Sequence, residues 1–156
     1  MAIDGEHNPS SEGWDVFDYE VMMFRSLCGL LRAGNSAYAR LDQCIKNAVT
    51  ESALLHLRQV VEVLLSRGKW PDNIKLCSLL PGLVPSSLQE LHRWYGSHSM
   101  EGTPCWVLNK MMAHPTGHRG AHYDYSGLIG EGVSFVEDVL REIDRKRTAP
   151  NPSKEA

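Results

Sequence analysis

This sequence predicts an all-α fold, a compact bundle of four to five helices. Apolar residues recur at steps of three and four along most of its length, and Val, Ile and Thr nowhere gather into the alternating pattern of a strand. With 156 residues, 42% of them apolar and 22% charged, the chain can close one core without help from a metal or a disulfide. Residues 1–12 are polar and carry Gly5 and Pro9, and residues 148–156 read TAPNPSKEA. Both ends are therefore expected to be flexible, on either side of a single domain spanning 13–147.

The first helix is expected over about Asp15 to Arg32. Val16, Tyr19, Met23, Leu27 and Leu30 or Leu31 make its apolar stripe, and Gly34-Asn35 stops it. Asn35 or Ser36 then caps a stretch that runs to Leu65, in which Tyr38, Leu41, Ile45 and Ala48 lead into Leu54, Leu57, Val61 and Leu64. This is one long helix with a kink, or two helices joined near Val49-Thr50. Gly68 and Pro71 close it, and the run to Pro85 is too rich in Pro and Gly to be more than a connecting loop with a turn or two. Ser86 or Ser87 with Glu90 resembles a capping box for a short helix from about Ser87 to Tyr95, with Leu88, Leu91 and Trp94 at core spacing. Pro104 suits the first turn of a helix over Cys105 to His114, which Pro115 ends. The last helix, about Gly127 to Lys146, carries Ile129, Val133, Val136, Leu140 and Ile143 as a packing seam.

A net charge of −3 and a pI near 6.1 exclude a protein that coats nucleic acid through bulk charge, while leaving room for a local basic site. No run of about 18 apolar residues exists, and the N-terminal residues show no basic start followed by an apolar stretch, so the chain is expected to be cytoplasmic with no membrane contact. Cys28, Cys44, Cys77 and Cys105 form no C-x-x-C pair and are expected to be reduced thiols that behave as small buried hydrophobes. There is no phosphate-binding glycine loop, dinucleotide motif, nucleophile elbow or H-E-x-x-H pattern, and no cofactor is expected.

Chemistry-bearing residues concentrate in two places. Glu51, Arg58 and Glu62 lie at steps of seven and four on one helix face. That strip reads either as a solvated ion-pair row or as an arginine held ready for a phosphate or carboxylate. His56 falls on the opposite flank and reads as a satisfied structural histidine. In WVLNKMMAHPTGHR, Lys110 and His114 share one helical face, with Asn109 and Ala113 on the neighbouring one. At a helix C-terminus His114 faces unbonded carbonyls, which favours its charged form and suits either a cap or an acid-base group working near neutral pH. His114, His118, His122 and Asp124 have a suggestive spacing, but Pro115, Gly117 and Gly120 break the helix that would align them, so no metal site is expected.

The two segments, Glu51-Ser52-Ala53-Leu54-Leu55-His56-Leu57-Arg58 and Asn109-Lys110-Met111-Met112-Ala113-His114, resemble the HEPN class of helical proteins. The likeness is to the branch associated with bacterial abortive infection, where E-S-x-L-L-H-x-R precedes N-K-x-x-A-H. The resemblance spans about Tyr19 to Ile143 in organisation and implies a bundle of four or five helices. Active members carry an R-x(4–6)-H motif whose arginine and histidine meet across a dimer cleft and cut RNA without metal, the ribose 2′-hydroxyl attacking the adjacent phosphate. On that likeness His114 matches the histidine, Lys110 the polar residue after the arginine, and Asn109 stands where the arginine belongs. Asparagine hydrogen-bonds a phosphate without neutralising it, so positive charge must come from Lys110, Arg58 or Arg119. Arg93 to His98 also fits the motif formally, but Gly96 interrupts the helix. The resemblance thus implies a homodimeric endoribonuclease or RNA- or nucleotide-binding protein of a defence or toxin–antitoxin system. His114, Asn109 and Lys110 are its candidate catalytic residues, and Arg58, Arg119 and Glu51 its candidate substrate contacts. The alternative is a non-catalytic helical module with a degenerate motif that engages an antitoxin or another protein.

Overall fold

The computed structural model describes residues 9–32, 34–69, 72–112 and 125–148. In chain order these form α1 (Pro9–Leu31), α2 (Ser36–Ala39), α3 (Gln43–Leu64), α4 (Leu76–Leu79), α5 (Leu88–Tyr95), α6 (Pro104–Val107), a π-helical turn (Leu108–Met112) and α7 (Tyr125–Thr148). The fold is all-α, with no strand among the described residues. The helices outnumber the expected four to five because α2, α4 and α6 are single turns of four residues each. None of the described helices is long and apolar enough to cross a membrane.

α3 is the central helix, with α1, α5, α7 and the π-turn all packed against it. Its expected apolar arc is the buried one: Leu54, Leu57, Val60, Val61 and Leu64 are each at most 1% exposed. The seam of α7 lies where its spacing put it, with Ile129, Val136, Leu140 and Ile143 buried. Two bidentate pairs join α1 to α7, Arg25 with Glu137 at 2.7 Å and Arg147 with Asp18 at 2.8 and 2.9 Å. Their opposite order along the two helices makes the pair antiparallel. Being largely solvent-exposed, such pairs fix register more than they add stability, each contributing about 0–1 kcal/mol.

Besides the π-turn at Leu108–Met112, which stands where a regular helix from Cys105 was expected, four local expectations change. α1 begins at Pro9, and its core face is Phe17, Val21 and Phe24, while Val16 and Tyr19 are about half exposed, at 49% and 50%. Both stripes have helical spacing, and the one with two phenylalanines hides more apolar surface. The long second stretch breaks at Arg40–Asp42 and not near Val49-Thr50, because Asp42 takes extended geometry as the N-cap of α3. Asn35 caps α2 as expected, its side chain accepting the Tyr38 N–H at 3.0 Å. Cys44 and Cys77 are exposed, so only Cys105 and the half-buried Cys28 behave as buried thiols.

The fourth change concerns the start of α5. Ser87 makes no capping hydrogen bond of the expected kind. Instead Glu142 reaches across from α7, and the backbone N–H and hydroxyl of both Ser86 and Ser87 donate to its carboxylate at 2.6 to 3.0 Å. These donors, the Ser87 hydroxyl first among them, hold the Glu142 carboxyl down at about 2. A depressed carboxylate stabilises the fold above the ordinary carboxylate range and stops doing so as pH falls through its folded value. The stability advantage of the wild type over Glu142→Gln should therefore be full near neutral pH and shrink below about pH 4. Urea unfolding across that range measures it, and an advantage that persists undiminished at pH 3 contradicts the cap.

Candidate functional site

α3 carries Ala48, Glu51, Ser52, Leu55 and Arg58 along one face, since steps of three and four bring side chains above one another. That face opens onto a hollow of about 320 Å³ whose far wall includes Leu108, the first residue of the π-turn. The π-turn is held in place from its N-terminal side. Gly96 ends α5 with φ +67°, and a Cβ there would lie 2.5 Å from Thr103 Cγ2, so only glycine lets the chain double back at this point. Thr103 then caps α6, its hydroxyl accepting the Trp106 N–H, with Pro104 as first helical residue. Cys105, Val107 and Leu108 are buried and anchor the turn from below.

Arg58 is about one quarter exposed, and its Nε donates to Glu62 Oε1 at 3.0 Å. Among the described residues the i,i+4 pair leaves the remaining guanidinium N–H groups for another acceptor, so the arginine is oriented without being used up there. Glu51 lies two turns before it on the same hollow. Asn109 is half-buried, and its Nδ2 donates to the Cys105 carbonyl at 2.8 Å, with the Cys105 sulfur at 3.7 Å. The asparagine amide nitrogen thus bonds the backbone of its own turn, which the widened π geometry leaves in need of partners. Lys110 follows it on the surface. Of the six residues singled out from sequence, the fold brings Glu51 and Arg58 to one hollow and sets Asn109 and Lys110 on the turn that walls it. His114 and Arg119 lie outside the described residues, as do His118, His122 and Asp124.

Behind the π-turn lies a polar layer that sequence spacing did not indicate. Arg67 Nη1 donates to the Gly96 carbonyl at 2.7 Å, sits 3.8 Å from the Cys105 sulfur, and the guanidinium stacks over the Tyr95 ring at 5.2 Å. No local pattern could reveal Arg67, because its partner is 29 residues away and is presented only by the turn at Gly96. Burial pushes both the Tyr95 hydroxyl and the Cys105 thiol up from their ordinary values, so both stay neutral. The Tyr95 hydroxyl, turned toward that thiol, has no hydrogen-bond partner of normal geometry among the described residues. Tyr95→Phe should thus hold or raise stability, by up to about 1 kcal/mol, because it removes a desolvated hydroxyl and keeps the ring. A loss of more than about 1 kcal/mol in chemical denaturation would mean that the hydroxyl is bonded after all.

His56 and Trp94 take structural roles, as their places in the sequence suggested. His56 Nδ1 sits 2.6 Å from Glu20 Oε2, against the Tyr19 ring edge and away from Arg58, bridging α3 to α1. Trp94 donates to Glu131 at 2.9 Å and stacks on Phe135, which makes it an anchor between α5 and α7. The helix break at Gly96 takes Arg93 and His98 off any common helix. Among the described residues, no three His, Cys, Asp or Glu side chains come together as metal ligands would. Comparison of the chain with protein-family models, with curated proteins and with solved structures finds no significant match.

Proposed function

We propose that the chain is a HEPN-like RNA-binding protein, with metal-independent endoribonuclease chemistry, that works as a cytoplasmic homodimer in a bacterial defence or toxin–antitoxin system. One observation carries the reading. Two segments about fifty residues apart in sequence, each noted for its chemistry, come together where the π-turn packs on α3, and Leu108 of that turn lines the hollow that Glu51 and Arg58 also line. Arg58 and Lys110 supply positive charge for the phosphodiester, and the Arg58–Glu62 pair holds the guanidinium in a fixed pose for bidentate contact. The apolar part of the hollow, around Leu55 and Leu108, suits the face of a base. His114 serves as general acid or base, an assignment that rests on its place in the sequence, with Arg119 as a further substrate contact.

The bond between Asn109 and the Cys105 carbonyl favours a second reading. With that amide nitrogen committed to the backbone and no arginine at the position, the same bundle would serve as a non-catalytic module for a protein partner such as an antitoxin.

Labelled single-stranded RNA separates the two. On the first reading the protein binds it, and Arg58→Met weakens binding about tenfold, the share of one charged phosphate contact. Folding stability should shift by less than about 1 kcal/mol in the same variant, since one part-buried i,i+4 pair is the polar contact the scaffold loses. No binding by the wild type, or equal binding by Arg58→Met, leaves the interaction module as the account of this fold.

A further inference from the structure

A second hollow, of about 340 Å³, opens where α1, α2, α3 and α7 meet and shares no lining residue with the first. Leu31, Ile129 and Val133 give it an apolar wall, and Arg32, Tyr38 and Thr50 stand around it. Its size falls within the range of small-molecule sites, which combine such walls with a few polar groups.

Gly130, which also lines this hollow, is the least expected residue in it. It sits in the interior of α7, where only proline serves a helix worse. Its φ is not positive, and a Cβ built on it meets no described atom within 4 Å. Two residues on, Gly132 has an evident packing reason, because a Cβ there would lie 2.8 Å from Leu57 Cδ2. Neither backbone geometry nor close packing calls for glycine at 130. What its missing side chain provides is the open space.

The Thr50 hydroxyl is taken up by its own helix, donating to the Lys46 carbonyl at 3.0 Å, but Arg32 and Tyr38 are not used up by the fold. Among the described residues Arg32 makes no ion pair and the Tyr38 hydroxyl makes no hydrogen bond. Lys46 Nζ, which donates to the Ala39 carbonyl at 3.1 Å, lies 5.9 Å from the Tyr38 ring centroid and adds a second positive charge nearby. Cys28, one turn before Arg32 and also on the wall, is kept neutral by burial, which raises its thiol to about 11, so it offers apolar surface without a competing anion. A planar guanidinium and a phenol lining one hollow match a carboxylate better than they match any neutral group.

We propose that this hollow is a binding site for a compact apolar carboxylic acid, its carboxylate on Arg32 and Tyr38 and its hydrocarbon body over Gly130 against Ile129 and Val133. Calorimetric titration of the whole chain with 2-naphthoate, and with the neutral isostere 2-naphthamide, tests it. Naphthoate should bind saturably and at least about tenfold more tightly than the amide, the margin of one charge-assisted pair. Arg32→Met should abolish that preference. Gly130→Leu should put a side chain into the hollow, raise the melting temperature and remove binding of both compounds, and Gly130→Ala should raise the melting temperature with binding weakened. The proposal is overturned by any of three results: no saturable naphthoate binding, equal affinity for acid and amide in the wild type, or unchanged binding in a folded Gly130→Leu protein.

Discussion

Leu57→Ala is expected to destabilise the fold by about 3–5 kcal/mol, toward the upper end of the range for a buried leucine. Leu57 is fully buried at the crossing of α3 and α7, and its methyls fill the space above Gly132, where a Cβ would come within 2.8 Å. Truncation leaves a gap that cannot close by simple approach of the two helices, because α3 is also packed against α1 and α5. The same geometry gives a second, sign-specific expectation. Gly132→Ala alone should destabilise by crowding Leu57, while in the Leu57→Ala background the added methyl enters vacated space and should recover stability. Urea denaturation of the two single variants and the double variant measures the coupling. A cost below about 1 kcal/mol for Leu57→Ala, or strict additivity in the double variant, contradicts this packing.

The packing also shows which parts of the fold were legible in sequence. The arcs of α3 and α7 could be read directly, since one continuous apolar face decides each helix's orientation and nothing competes with it. In α1 the expected Leu27 and Leu31 do pack against the core, but the first half of the face could not be read, because neighbouring stripes there both have helical spacing and only the partner helix selects Phe17 and Phe24 over Val16 and Tyr19. The break before α3 carried a readable sign in Asp42, a favoured N-cap residue, but the apolar pattern runs on across it. The cap on α5 was legible only as a local serine motif. Glu142 supplies it from 55 and 56 residues away, and no short-range pattern encodes that distance.

The candidate site divides in the same way. Glu51 and Arg58 were placed on one face by helix periodicity alone, and they share the hollow. That Leu108 would wall it depended on how the π-turn, continuing from α6, packs on α3. The π geometry itself was not foreseen, because a regular helix was expected from Cys105 onward and a widened turn has no distinct composition. Asn109 was considered as a phosphate ligand; its amide nitrogen has a nearer acceptor in the Cys105 carbonyl, four residues back.

On the proposed function, the largest functional effect is expected at His114. If it acts as general acid or base, His114→Ala should slow RNA cleavage by about 10²- to 10⁴-fold, the contribution usual for a positioned proton-transfer group. Cleavage by the wild type should continue in the presence of chelator, since 2′-hydroxyl attack needs a base, an acid and positive charge near the phosphate, all available from side chains. Binding of intact RNA should change far less than the rate, because a proton-transfer group acts mainly in the transition state. Single-turnover cleavage of a labelled RNA, run beside an equilibrium binding assay, separates the two quantities. An unchanged rate in His114→Ala would falsify the catalytic assignment.

On the proposed function, α3 and the π-turn present a single surface to an RNA backbone, with Arg58 and Lys110 as its cations. The dependence of RNA affinity on salt concentration tests this most directly, because each phosphate neutralised by protein releases counterions. On this account the slope of log affinity against log salt becomes shallower by about 0.7 in Arg58→Met, by about 0.7 in Lys110→Met and by the sum of the two in the double variant. A slope that stays at the wild-type value in all three proteins would contradict it.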